Sequence, residues 1–487
     1  MISGNILRKE LPIAVIGAGA GGLPAAVALA ENGIKVLLLE RGKCFDYANI
    51  PTNRYDYELS PPPWENFPGN ENWHGPVRLQ GASGIGGSTL LFQAVAHLPP
   101  IAIFEQWGLP GRTIKQLGRE LSDFLQIAGE VQPAHELNPV SNHLLHCARK
   151  IGWNARPAPV AILSEPYKGR PACVRCGLCV FGCRVGDKGS TDKTWLPRGE
   201  ATGRIKVLTD TKADFLELAD HERVKAVHVI SNGKREKIEV SAVVLSAGAL
   251  ETPYLLRSSA QTLAPNGIGG QNVGKYLTTT NWQSLLVSVP GQAEGYDGIP
   301  IDILVEEHKN KGILLCQGRN LAGIVGPVTA ARFCALSHQS LKVRNWMREN
   351  YPALAGLAGF SESSTSSADG IVDFKNRRFE MTLRQSDHDS LAEISRLLHT
   401  WASSSGAVVL LELNKTPYVG SLLRGTCRVG PDPADSATNP DGRLHGYRNI
   451  VVSDSSVLGR GLITDPSLSL QVLGFYFGSR LAARFSE

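Results

Sequence analysis

Short apolar runs punctuate the start of the chain. One passes through Ile13, Val15 and Ile16, a second runs from Ile34 to Leu39, and an alanine-rich stretch lies between them. Runs of this length predict two buried strands, and the alanine-rich stretch predicts the helix that joins them. A second strand, small-residue turn and helix follow at Ser241–Leu256, SAVVLSAGALETPYLL. Within residues 101–130, TIKQLGRELSDFLQIAGE has apolar residues at helical spacing. Arg204–Asp220 predicts a strand, and Arg223–Ile230 with Lys237–Val240 predicts a hairpin pair around Ser231-Asn-Gly-Lys. Beyond residue 276 the pattern changes: residues 281–289, 300–305, 377–383 and 407–413 read as strands. Residues 387–404 read as one long helix, with Leu391, Ile394, Leu397, Leu398 and Trp401 on its core face. A strand at Ile450–Val452 and a helix opened by Asp465-Pro466 close the chain. This order predicts an α/β fold: a Rossmann-like domain joined to a mixed-sheet α+β domain.

The turn after the first strand turns fold into chemistry. Gly17, Gly19 and Gly22 form G-x-G-x-x-G, and the second apolar run ends on Glu40. Gly17 permits the tight turn, Gly19 lets backbone approach a pyrophosphate, and Gly22 lets the helix pack close to the strand. The helix N-terminus then presents its unpaired N–H groups to the phosphates. Glu40, about 20 residues on, stands where a ribose hydroxyl needs an acceptor. A glycine triplet alone is weak, but here strand, helix, second strand and acid occur in order. The arrangement fits FAD at least as well as NAD. Farther along, Gly84, Gly86 and Gly87 precede Ser88 and Thr89, leaving amides accessible to a phosphate or a flat cofactor, or making a plain turn. Residues 51–76, rich in proline, asparagine and aromatics, read as a long covering loop.

Composition narrows the classes. A chain of 487 residues predicts two packed domains, and 42% hydrophobic with 20% charged residues is ordinary for a globular protein. A net charge of +5 is too mild to point to nucleic acid or an anionic membrane. The apolar runs stop short of the roughly 20 residues a bilayer span needs. No signal-peptide core precedes the first strand, so a cytoplasmic location is the expectation.

Four of the nine cysteines lie in CVRCGLCVFGC, as Cys173, Cys176, Cys179 and Cys183. The C-x2-C-x2-C-x3-C spacing is that of the bacterial ferredoxin run, which predicts an iron–sulfur cluster, 4Fe–4S before 3Fe–4S. A zinc or metal-free structural loop and a redox disulfide are the alternatives. Arg184 stands where that run has proline, and no second cysteine run exists to supply a partner cluster.

With its ordered segments GAGAGG, GIGGST, LSAGALETPYLLRSS, QNVGKYL, GTCRVG, LHGYRNIVVSDSS and DPSLSLQ, the chain resembles the glucose–methanol–choline (GMC) family of FAD-dependent oxidoreductases over nearly its whole length. A subset of the family is similar in carrying a cysteine-rich loop before a stretch like GDKGSTDKTWLP. The resemblance implies a discontinuous FAD-binding domain, residues 1–275 with the cysteine loop at 171–190, completed by residues 446–487. Residues 276–445 would form the substrate domain. The candidate cofactor contacts are Gly17, Gly19, Gly22, Glu40, Gly86, Gly87, Ser88, Ala213, Ala247, Gly248, Asp454 and Ser455.

The chain departs from the family where catalysis is expected. The usual base, a histidine, is Leu422; its partner before the last helix is Asp465; a third family histidine is Thr280. His445 matches a family histidine at the nucleotide end and reads as structural. Asp465 is therefore the candidate base, or else simply caps the last helix. Tyr418, Cys427 and Thr464 are weaker proton donors. The expected activity is oxidation of a CH–OH group on a small organic substrate, with the cluster passing electrons between FAD and an electron-transfer protein. A flavin/iron–sulfur reductase or desaturase acting on a C–C or C=O bond, and a non-catalytic electron carrier, are the alternatives.

Overall fold

The structure, a computed structural model, describes residues 10–45, 47, 73–75, 78–79, 81–180, 182–295, 297–318, 351–362, 371–382, 384–413, 419–420, 422–463 and 465–486. Most of the predicted covering loop, and both Tyr418 and Thr464, lie outside these residues.

Five parallel strands form the first sheet, in the order Ile450–Val452, Ala242–Leu245, Ile13–Ile16, Val36–Leu39 and Ile205–Leu208. The first four are buried along their length, which is why they read as continuous apolar runs without alternation. The strand at one edge comes from near the end of the chain, so the sheet is complete only when residues 450–452 return to it. The last helix, Ser467–Ser486, follows and lies along the first, Gly22–Glu31. Contact is close because it is made by glycine: a Cβ on Gly474 would come 2.3 Å from the carbonyl oxygen of Gly21.

The predicted hairpin forms within a three-stranded antiparallel meander, Thr211–Asp220, Arg223–Ser231 and Lys234–Glu239. Asn232 and Gly233 both have positive φ, 50° and 75°, the backbone a two-residue hairpin turn requires. The helix expected within residues 101–130 runs over Gly111–Leu125, after a short one at Ile101–Gln106. It stops because Gln126 turns left-handed (φ 53°).

The second sheet has six strands, each antiparallel to its neighbours: Val408–Leu413, Thr280–Ser288, Leu354–Glu362, Ile313–Gly318, Ile301–Val305 and Ala155–Pro157. Besides the short Ala155–Pro157, two of its strands, Ile313–Gly318 and Leu354–Glu362, escape the sequence reading. Both are buried almost throughout, so no polar face marks a strand period. Conversely, among the described residues only Arg378–Glu380 of the strand expected at 377–383 is a strand, and it pairs with Ile371–Asp373 outside this sheet. Residues of opposite parity serve opposite faces. Leu285, Val287, Leu315, Ala355 and Leu357 pack with helices Pro139–Lys150 and Gln385–Ser404, where Trp401 is fully buried. The other face turns toward the first sheet.

Candidate active site

Between the two sheets lies a cavity of about 650 Å³, within the usual size of a small-molecule or cofactor site. One end is the glycine turn at the C-terminal edge of the parallel sheet, where open α/β sheets place their ligands. Gly17 has φ 105°, and a Cβ there would lie 2.1 Å from the carbonyl oxygen of Ser246. A Cβ on Gly22 would lie 2.0 Å from Gly17 O, so this residue serves packing. Gly19 differs: a Cβ there meets nothing within 4 Å, and the residue lines the cavity. Its bare backbone faces open space, as a pyrophosphate site requires.

Glu40 lines the same end and is buried. Its carboxylate accepts N–H bonds from Ala18 (3.0 Å), Gly42 (2.9 Å) and Gly84 (3.1 Å). It thereby fastens the glycine turn to the second glycine loop, a role absent from the sequence reading, beside any contact to a ribose. In that loop Gly87 and Ser88 line the cavity. Gly86 sits behind them, its carbonyl accepting the hydroxyls of Thr89 (2.6 Å) and Thr191 (3.3 Å). Ala213, Ala247, Gly248, Asp454 and Ser455 all line the cavity, whereas Gly22 and Gly86 do not. Asp454 joins two of the converging turns: it accepts from Gly248 N (2.9 Å), Thr252 Oγ1 (2.5 Å) and Ser456 N (2.8 Å). Burial raises its pKa above the ordinary aspartate value, with these bonds opposing the rise.

The far end is the free face of the antiparallel sheet. Trp282, Phe360 and Leu314 stand opposite one another on three adjacent strands, with Ala358, Cys316 and Leu304 in a second row. Phe92 and Ile463 add to this apolar wall. Asp465 lines this cavity, as do Leu422 and Thr280. Its Oδ1 accepts the Ser467 N–H at 2.8 Å, so it does secure the start of the last helix. It also lines the cavity, and burial raises its pKa. Cap and cavity-facing carboxyl are the same group. Cys427 is buried in the core away from the cavity wall, and His445 Nε2 bonds to Ser436 Oγ (3.0 Å), consistent with structural work.

The cysteine loop leaves one expectation without support. Among the described residues no three cysteine, histidine or acidic side chains are gathered to hold a metal ion. Cys183 Sγ donates to Asp187 Oδ1 (2.9 Å), and Cys173 Sγ accepts the Arg175 N–H (3.3 Å). Cys176 is exposed, while Cys179 and Cys183 are buried. Burial raises the pKa of the Cys173, Cys179 and Cys183 thiols. The ferredoxin-like spacing is met in sequence, but among the described residues no gathered ligand set supports the cluster.

Residues 69–279 and 419–474 match the GMC oxidoreductase family, and residues 15–61 match the NAD(P)-binding Rossmann-like domain. The chain belongs to the GMC oxidoreductase family. It is 24% identical to a long-chain-alcohol oxidase of Arabidopsis thaliana, over 98% of this chain and 68% of that protein. It is also 24% identical to 2-methyl-1,2-propanediol dehydrogenase of Mycolicibacterium austroafricanum, over 98% of this chain and 96% of that one. Pyridoxine 4-oxidase from Mesorbium loti shares the fold: its TM-score is 0.67 at 16% identity, covering 96% of this chain and 99% of that one. The protein is thus an oxidoreductase with a Rossmann-like domain, and FAD is the cofactor that family and cradle support. Among the described residues no helix is long and apolar enough to cross a membrane.

Proposed function

We propose that this protein oxidises the CH–OH group of a small, largely apolar alcohol, with FAD held in the glycine cradle and Asp465 as the base. The observation that carries the reading is the place of Asp465: a half-buried carboxyl lining the cavity that the cradle and an apolar wall share. Gly17, Gly19, Glu40, Gly87, Ser88, Ala213, Ala247, Gly248, Asp454 and Ser455 would hold the cofactor. When bound, FAD supplies the two-electron oxidant. The chain supplies the rest. The Asp465 carboxylate takes the hydroxyl proton, and its Oδ1 bond to Ser467 holds it still. Trp282, Phe360, Leu314, Leu304 and Phe92 exclude water and fit a hydrocarbon substituent better than a sugar, whose many hydroxyls would lose their hydration there. The named activities of the relatives, long-chain-alcohol oxidation and diol dehydrogenation, agree with CH–OH chemistry. An iron–sulfur relay and its electron-transfer partner are not part of the proposal, because no ligand set among the described residues supports the cluster.

The test is anaerobic mixing of purified, flavin-loaded protein with a series of primary alcohols and with glucose. The expected result is bleaching of the visible flavin band by 1-hexanol and benzyl alcohol, and none by glucose. No bleaching by any alcohol would overturn the reading.

A further inference from the structure

Behind the cavity wall lies a charged group that the mechanism above leaves unused. Arg424 is 1% exposed. Its chain segment is bridged to the start of the cover sheet by reciprocal backbone bonds with Thr278, both 2.9 Å. From there the guanidinium reaches three converging segments. Nη1 donates to Thr280 Oγ1 (2.8 Å) and more weakly to Leu422 O (3.4 Å), and Nη2 donates to Leu462 O (2.8 Å). All three acceptors are uncharged. Glu362, across the ladder from Thr280, acts on the guanidinium through its field, and its Oε1 accepts the Gly461 N–H (2.7 Å). Arg424 thus ties together the wall residue Thr280, the backbone at Leu422 and the segment leading to Asp465.

The direction of these bonds has a chemical consequence. A hydroxyl has one proton to give. Because Thr280 Oγ1 accepts from the guanidinium, its own proton points away from Arg424. Thr280 lines the cavity, and none of its described hydrogen bonds uses that proton. The buried positive charge behind the oxygen polarises the O–H and makes it a stronger donor. Asp465 lines the same cavity, three residues beyond the Leu462 carbonyl that Arg424 holds, and can only accept when ionised. The site therefore holds a donor and an acceptor, as an alcohol losing its proton requires.

We infer that Thr280 donates a hydrogen bond to the substrate oxygen and that Arg424 is the positioning residue that aims and strengthens this donor. The inference rests on the alcohol-oxidation reading above. As Asp465 takes the hydroxyl proton, negative charge develops on the oxygen, and the Thr280 O–H stabilises it. No covalent bond to Thr280 forms or breaks.

Hexanamide is a suitable probe, because its carbonyl accepts from Thr280 and its NH2 group donates to Asp465. Its binding is measured by calorimetry on flavin-loaded protein, alongside anaerobic flavin reduction by 1-hexanol. In Thr280→Val, flavin content should be retained, hexanamide should bind at least about tenfold more weakly, and reduction should slow about 100-fold, the usual effect of removing one oxyanion donor. Thr280→Ser should restore both. Arg424→Met should weaken hexanamide binding in the native background but add little in Thr280→Val, since it acts through that hydroxyl. Unchanged hexanamide affinity in Thr280→Val would overturn the inference. So would a native protein that does not bind hexanamide, or a Thr280→Val variant whose only change is in the flavin spectrum. If hexanamide binding depends on Thr280 but no alcohol bleaches the flavin, the donor stands and the alcohol reading falls.

Discussion

The two ends of the cavity are built on different principles. The cradle is made of backbone: Gly17 and Gly19 act through the side chains they lack, one because a carbonyl occupies the space and the other because the space is open. The sheet end is made of side chains, ordered by strand register into the rows Trp282–Phe360–Leu314 and Ala358–Cys316–Leu304. A backbone cradle tolerates little change and is blind to the substrate. A side-chain wall tolerates exchange of one apolar residue for another and so sets specificity. The difference explains how one family keeps its cofactor cradle while its substrates vary.

The largest effect should come from breaking the cradle. Gly17→Val combines a positive φ with a backbone clash, and we expect a loss of about 3 kcal/mol or more together with failure to retain FAD, read by melting and by visible absorbance. Next is the proposed base. Asp465→Asn keeps an oxygen for Ser467 N–H but removes the ionisable group, so flavin reduction should slow by about 10²–10⁴-fold at an unchanged melting temperature. The pH profile sharpens this prediction. Burial raises the Asp465 pKa, the base acts only when ionised, and the native rate should therefore climb with pH through a limb above the ordinary aspartate range. Asp465→Asn should lack that limb. An unchanged rate in this variant would leave Asp465 as a helix cap alone. A smaller effect is expected from the outer face of the cover sheet: Leu315→Ala leaves a cavity beside the long helix and should cost about 2–4 kcal/mol in denaturant unfolding. Its retained flavin would show that the cradle does not rest on this core. The smallest effect is Cys176→Ser. Its side chain is exposed and, among the described residues, no metal-ligating group is gathered, so turnover and iron content should match the native protein. Loss of iron together with turnover would reinstate the cluster.

What could be read before the fold was known depended on how local each cause is. The Gly17–Gly22 turn, the Asn232-Gly233 hairpin and the buried parallel strands follow from φ restrictions and short apolar runs within a few residues, so the sequence by itself determined them. Asp465 was visible as the acid before a proline; that its carboxyl both caps the helix and faces the cavity was not. The strands Ile313–Gly318 and Leu354–Glu362 were hidden because burial on both faces erases the polar alternation that marks a strand. The cysteine spacing did not decide the cluster, because a spacing constrains only which residues can meet, while packing and bonds such as Cys183–Asp187 decide where a sulfur points. Arg424 and Thr280, 144 positions apart, acquire their meaning only through a bridge between distant segments. Local backbone geometry is written in neighbouring residues; the direction of a buried hydrogen bond and the face of a strand exist only once remote parts of the chain have packed.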